Sequence, residues 1–240
     1  MEKTIYFISD IHLGFAGKEI ENNKEQKLIS FIKNICKDAD KLYILGDLFD
    51  FWFEYKYVAQ KGYFELFTVL KELTSNGIEV NYLIGNHDFL HKNFFSEYLN
   101  VNIIDKEIEV VLNNKKFFLG HGDGLVKKDT GYKILKKVLR NKTIQFLYSL
   151  LHPDLGIWLA KNTSKKSRDF TKEKNYGEID GLFETAKQKI ELGSDYVIFG
   201  HSHKREMRTY KSGTYINLGS WMEKPCYGKF TENNFEIIDW

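Results

Sequence analysis

The chain has 240 residues and a formal net charge of +2, a length that one domain can span and 15% aromatic content that argues against disorder. Its two cysteines, Cys36 and Cys226, exclude a disulfide framework or a cysteine zinc cluster and suit a reducing compartment. Asp10 and His12 cut the first apolar run short of a signal peptide, and no apolar stretch reaches about 20 residues, so a cytosolic chain without membrane spans is expected.

In chain order, the spacing predicts a strand over 4–9 and a helix near 23–38, where Leu28, Ile29, Ile32 and Ile35 share a face. A strand over 42–45, a helix over 61–76 ending before Gly77, and a strand over 80–84 follow. This β-α-β-α-β order implies parallel strands with right-handed crossovers. Runs near 107–112 and 116–119, joined through Asn113-Asn114, predict a hairpin. Between 125 and 180 strand signals give way to helical spacing, an insertion on the core. Runs at 195–199, 214–218 and 235–238 close a single domain spanning 1–240.

Five of these apolar runs end in a small residue followed by potential metal ligands. They lead into Ser9-Asp10-Ile11-His12, Gly46-Asp47, Gly85-Asn86-His87-Asp88, Gly120-His121-Gly122-Asp123 and Gly200-His201-Ser202-His203. Ligand crevices in open α/β sheets lie outside the carboxyl ends of the strands, so these groups are expected to converge. In Asp10-x-His12 and His201-x-His203, side chains two apart on extended backbone would point the same way and reach one ion. The Asp47 carboxylate has two oxygens with which to join two cations. Nitrogen and oxygen donors without sulfur suit Mn²⁺, Fe or Zn²⁺ better than Ca²⁺ or Cu⁺. Each motif alone is a common turn; the ordered set is not.

D-x-H, G-D-x-x-D, G-N-H-D, G-H-G-D and G-H-x-H, in that order, resemble the calcineurin-like metallophosphoesterases. The resemblance implies a four-layer α-β-β-α sandwich and two divalent ions, with Mn²⁺ favoured. It places Asp10, His12, Asp47 and His203 on one ion, and Asp47, Asn86, His121 and His201 on the other. Such a pair activates water and stabilises both apical oxygens of an in-line displacement at phosphorus. It further implies that the carboxylate of Asp50 hydrogen-bonds His87, raising its pKa so that it can give a proton or positive charge to the leaving oxygen. Asp88 and Asp123 are expected either to orient ligand histidines or to serve turns.

Phe49-Asp50-Phe51-Trp52-Phe53-Glu54, Gly122-Asp123-Gly124-Leu125, Asp129-Thr130-Gly131-Tyr132 and Leu218-Gly219-Ser220-Trp221 narrow the resemblance to the UDP-2,3-diacylglucosamine diphosphatases of lipid A synthesis. This implies cleavage of the sugar-nucleotide pyrophosphate to UMP and 2,3-diacylglucosamine 1-phosphate, with Asn86, His87, Asp129, Tyr132, Lys165 and Arg168 against the substrate. Where well-described members carry Arg after the metal-binding Asn, this chain carries His87. Other readings are a phosphodiesterase or nucleotide pyrophosphatase acting on a soluble substrate, a phosphoprotein phosphatase, and a metal-free scaffold. The last expects lost ligands, and none is missing.

Charge is concentrated in the insertion. Residues 126–174 hold thirteen Lys and Arg against four acids, a local balance of +9, which leaves −7 for the remainder. Ile134, Leu135, Val138, Leu139 and then Phe146, Leu147, Leu150 and Leu151 repeat an apolar helix face, with Lys133, Lys136, Lys137 and Arg140 between them. A lid packed on the core with solvated lysines is one reading. The other is a lid whose apolar side holds acyl chains and whose cations draw the protein to an anionic membrane as a peripheral protein. No nucleic acid is expected as a partner.

Overall fold

Period-two burial organises the first strand, β1 (Ile5–Ile8): Ile5 and Phe7 face one way, Tyr6 and Ile8 the other, and all four are buried. A strand covered on both faces must lie inside a layered fold. The computed structural model of the chain describes residues 3–58, 60–125, 130–172, 178–232 and 234–240. The side chains of 130, 132, 135, 161, 164–172 and 178–180 fall outside that description.

Along the chain follow α1 (Lys18–Ile35), β2 (Lys41–Leu45), α2 (Phe64–Ser75), β3 (Glu79–Leu83), a π-helical turn (Phe94–Tyr98) and β4 (Asn102–Ile104). Next come β5 (Ile108–Leu112), β6 (Lys115–Leu119), α3 (Thr130–Leu139), α4 (Lys142–Ser149), α5 (Pro153–Lys172) and α6 (Glu178–Glu191). The chain closes with β7 (Tyr196–Phe199), β8 (Glu206–Tyr210), β9 (Gly213–Asn217), β10 (Cys226–Thr231) and β11 (Asn234–Asp239). One sheet runs β11-β10-β1-β2-β3-β4, with β1 to β4 mutually parallel; the second runs β5-β6-β7-β9-β8. Asn113 and Asn114 both adopt positive φ, 44° and 63°, as a two-residue hairpin turn between β5 and β6 requires.

Three apolar clusters separate four layers. Leu28, Ile32, Leu66 and Leu70 of α1 and α2 pack on Tyr6, Ile8 and Ile44. Phe7, Leu45, Phe117 and Ile198 fill the space between the sheets. Leu182, Ala186 and Ile190 of α6 cover Val197 and Tyr215 on the second sheet. The α-β-β-α sandwich follows. Thus α6 belongs to the core, while the helices α3 to α5 lie between β6 and α6. The apolar series from Ile134 to Leu151 is two helices, because Asn141 caps α4, accepting from the N–H groups of Thr143 and Ile144 at 2.9 and 3.3 Å. Pro153 opens α5, where a missing N–H costs nothing.

The aromatic run after Asp47 divides between two layers. Phe49 and Trp52 are buried in the α1–α2 core, while Phe51 and Phe53 meet Tyr148 of α4 edge-on. Glu54 ties the run to the next loop, accepting from Trp52 Nε1 at 3.0 Å and from the N–H groups of Lys92, Asn93 and Phe94 at 2.8–3.0 Å. Burial pushes its carboxyl up, but His91, Trp52 and the Phe94 N–H outweigh that and hold it at about 2. The folded value lies below the ordinary one, so the unfolded chain binds the extra proton. Glu54 therefore stabilises fully above the ordinary glutamate range, by about 3 kcal/mol, and that share is lost as pH falls toward about 2. Glu54→Gln should lower the melting temperature at neutral pH by about 5 °C. In thermal melts the gap to wild type should narrow as pH drops below the glutamate range; a gap constant with pH would remove the charge from the explanation.

Candidate metal centre

The carboxyl ends of β1, β2 and β3 in one sheet and of β6 and β7 in the other open on a common point, where the seven predicted ligands meet. His12 Nε2 lies 3.1 Å from His203 Nε2, 3.7 Å from Asp10 Oδ1 and 3.6 Å from Asp47 Oδ2, and His203 Nε2 lies 3.3 Å from Asp10 Oδ1. Across Asp47, His121 Nε2 lies 3.3 Å from Asp47 Oδ2 and 2.9 Å from Asn86 Oδ1. The His201 ring stands 5.1 Å from that of His121. Asp47 therefore belongs to both groups of donors.

The backbone that delivers these groups is not extended. Asp10, His12, Asp47, His201 and His203 have φ of 54°, 50°, 53°, 66° and 57°, in the left-handed region that non-glycine residues rarely enter. The two D-x-H and H-x-H pairs do converge, but through left-handed turns rather than strand alternation, because β1 and β7 have already ended at Ile8 and Phe199. Backbone strain of this kind persists where surrounding contacts over-determine it, and it gathers at functional sites. Ser220 Oγ and the Trp221 N–H, each at 3.1 Å, hold the Asp10 carbonyl. Lys24 Nζ holds the His12 carbonyl at 2.6 Å, and the Asn217 side chain holds that of Gly200 at 2.6 Å. Two glycines are required by close approach: a Cβ at Gly85 would overlap the Asp47 carboxylate, and one at Gly200 the Asp10 carboxylate.

Electrostatics keep Asp10 and Asp47 ionised and His201 neutral, the forms in which they can ligate. Burial opposes charge on Asp10, yet the imidazoles of His12 and His203 beside it hold its carboxyl well below the usual range. Burial likewise opposes Asp47, and the charges of His121 and His87 hold it far down. Burial pushes His201 down to about 4, with His121 beside it adding to the effect, so its ring stays neutral at neutral pH. His121 shows the reverse: burial lowers it, but the Asp47 carboxylate prevails and raises it well above the imidazole range. Its Nδ1 lies 2.9 Å from the Leu45 carbonyl, which can only accept, so Nδ1 carries the hydrogen and Nε2 faces Asn86 and Asp47. Asp10 Oδ1 is buried without a hydrogen-bond partner and lies between His12 and His203. An orphan oxygen amid imidazole nitrogens suits a divalent cation, and the set as a whole is compatible with a two-metal site.

Two expectations change, both concerning His87. Asp50 Oδ1 stands 3.7 Å from both His87 Nδ1 and His12 Nδ1, beyond hydrogen-bond range, and it is the Asp50 carbonyl that lies 3.1 Å from His87 Nδ1. Burial pushes the His87 pKa down, ahead of the opposing pull of Asp47, so the raised value expected from a carboxylate partner is not found. Asp88 orients no ligand histidine: its buried carboxylate accepts from the N–H groups of Leu48 and Gly85 at 2.7 and 2.8 Å and from the Tyr82 hydroxyl, locking the two ligand loops together. Asp123 receives a lysine, Lys136 Nζ at 2.6 Å. Of the residues expected at the substrate, Asp129 lies outside the described residues, as do the side chains of Tyr132, Lys165 and Arg168. Sequence reasoning missed Lys24 and Asn217. Lys24 sits on the buried face of α1, an anomaly for lysine that could have flagged it.

The calcineurin-like phosphoesterase family matches residues 3–205. The chain belongs to that family and is a metal-dependent phosphoester hydrolase. It is similar to the UDP-2,3-diacylglucosamine hydrolase of Porphyromonas gingivalis, at 30% identity over 95% of this chain and 94% of that protein. The enzyme of the same name from Haemophilus influenzae is 30% identical over 91% of each chain, and that from Haemophilus ducreyi 28% over 98% and 99%. Among solved structures, an archaeal phosphodiesterase superposes with a TM-score of 0.50 at 18% identity, covering 99% of both chains, a likeness of fold.

Proposed function

We propose that the chain hydrolyses the pyrophosphate of UDP-2,3-diacylglucosamine, releasing UMP and 2,3-diacylglucosamine 1-phosphate. One observation carries the lipid part of this reading. The helices α3 to α5 turn large apolar side chains outward, with Phe146 62%, Leu150 67% and Trp158 60% exposed beside Ile134, Val138 and Leu155. An apolar surface of that extent on an enzyme domain marks a place for a lipid or partner. The names of the full-length relatives support the sugar-nucleotide part. The insertion over 125–180 acts as a lid in this reading, with acyl chains against its apolar side.

Asp10, His12, Asp47 and His203 would hold one divalent cation, and Asp47, Asn86, His121 and His201 a second, with Mn²⁺ the proposed metal. When bound, the two cations supply an activated water and stabilise the charge that develops on the phosphoryl oxygens. The chain's own part is to fix these donors in strained loops and to set His87 beside them. With the Nδ1 hydrogen engaged by the Asp50 carbonyl, His87 Nε2 is the atom that exchanges a proton with the reacting phosphate. Incubating the purified protein and Mn²⁺ with UDP-2,3-diacylglucosamine should yield UMP; turnover of a soluble phosphodiester alone would favour a general phosphodiesterase.

The protein should also dock peripherally on anionic membrane, on the cytoplasmic side. No described helix is long and apolar enough to cross a membrane. Lys133 and Lys137 are exposed on α3, whereas Lys136 and Arg140, expected to share their role, turn inward to Asp123 and Gly85. The double reversal Lys133→Glu/Lys137→Glu should cut binding to anionic vesicles at low salt by at least about tenfold, since each cation contributes on the order of 1 kcal/mol. Equal sedimentation of mutant and wild type would leave those lysines as a solvated face.

A further inference from the structure

The helix α3 is amphipathic in the reverse sense. Lys136 and Arg140, one turn apart on the same face, point into the protein, while Ile134 and Val138 on the opposite face are exposed. Lys136 Nζ pairs with Asp123 Oδ2 at 2.6 Å and also donates to the Asp123 carbonyl at 3.0 Å. Arg140 stands 4.0 Å from the same carboxylate and donates to the carbonyls of Gly85 at 3.4 Å and Asp105 at 3.3 Å. The Asp123 side chain is only 4% exposed, against 23% for Lys136 and 27% for Arg140.

The partners of these two cations lie in loops that carry candidate ligands. Asp123 is two residues beyond His121, and Gly85 immediately precedes Asn86. A helix seated by its apolar face would have spent that face on the core. This one is seated by charge, and its apolar face remains available. A buried carboxylate left without its cation is strongly disfavoured, so the pairing constrains where α3 can sit.

We infer that Lys136 and Arg140 are positioning residues that clasp α3 to the two ligand loops, so that the apolar face of the lid is held at a fixed place relative to the metal centre. The lipid-substrate arm rests on the function proposed above; the seating of the lid does not. Breaking the clasp should let α3 move and should weaken capture of a substrate whose acyl chains need the lid, while the reacting groups stay in place.

The test uses the full chain loaded with Mn²⁺ and the variants Lys136→Met, Lys136→Arg, Asp123→Asn and the Asp123→Asn/Lys136→Met double. Thermolysin cleavage within 130–172 reads lid seating without any substrate; KM and kcat for UDP-2,3-diacylglucosamine read its consequence. Lys136→Met should speed lid cleavage and raise KM by about tenfold each, with kcat and metal content near wild type, and Lys136→Arg should restore most of both. The double variant should be no worse than the more affected single one, the non-additivity expected of residues in one contact. Lid cleavage at the wild-type rate in Lys136→Met would overturn the clasp, as would additive effects in the double variant. A fall in kcat or metal content with KM unchanged would also overturn it, placing Lys136 in the metal centre. If the wild type fails to turn over the lipid, the cleavage arm still decides the clasp, so the two readings fail separately.

Discussion

Asp47→Ala should cost more turnover than any other single ligand change, about 10³-fold or more, and should leave fewer than two metals per chain. The reason is its double membership. One Asp47 oxygen lies 3.3 Å from His121 Nε2 and 3.6 Å from His12 Nε2, while the other accepts the His87 N–H at 2.9 Å. A single carboxylate thus reaches both donor groups and anchors the loop that carries Asn86. Loss of metal-based stabilisation of the transition state is worth several kcal/mol, and each 1.36 kcal/mol is tenfold in rate. His203, by contrast, touches only the Asp10 and His12 side, and its side chain is about one-third exposed. His203→Ala should therefore retain the second group and fall short of the Asp47 effect. Alanine also strains the left-handed backbone at position 47, so Asp47→Asn, which keeps shape and loses charge, is the companion variant. Elemental analysis and turnover of a chromogenic phosphodiester check both. Two bound metals and wild-type turnover in Asp47→Asn would end the shared role of this carboxylate.

The donors were legible because burial and chemistry leave different marks. A strand covered on both faces is buried toward its carboxyl end, so β1, β2, β3, β6 and β7 stand out as largely apolar runs, and a polar residue after each end has a reason to be there. Backbone conformation left no such mark. Asp and His enter the left-handed region more often than most side chains, but nothing in Asp10-Ile11-His12 demands it as a glycine would. The strand β10 escaped for a related reason: Gly228 sits mid-strand because the Phe235 ring fills the space its side chain would take, and that neighbour is brought in only by pairing with β11. For α3 the periodicity was visible but its sign was not. An apolar stripe normally faces the core, and the buried Asp123, with the Gly85 and Asp105 carbonyls, reverses it by drawing Lys136 and Arg140 inward. A side chain and its own carbonyl are likewise indistinguishable in sequence, which is why the carboxylate of Asp50 was expected where the carbonyl serves.

His87→Gln should lower turnover by about 10²–10⁴, the range for losing a positioned proton-transfer group, with two metals retained. Its ring sits at the junction of the site, 4.9 Å from that of His12, with a nitrogen close to ligand atoms of His12 and Asp47. The Asp50 carbonyl fixes the Nδ1 hydrogen and so fixes which nitrogen is left for the substrate. Glutamine preserves a polar side chain of similar reach but cannot exchange a proton, so metal affinity should survive while the chemical step does not. Because a main-chain carbonyl makes the contact, Asp50→Asn leaves it intact, and its loss should be under about tenfold, far smaller than that of His87→Gln. Steady-state kinetics beside elemental analysis separate the cases. If His87→Gln strips metal, the residue is a ligand or a structural support. If Asp50→Asn matches the loss of His87→Gln with metal retained, the carboxylate acts across 3.7 Å after all, and the carbonyl is not what orients the imidazole.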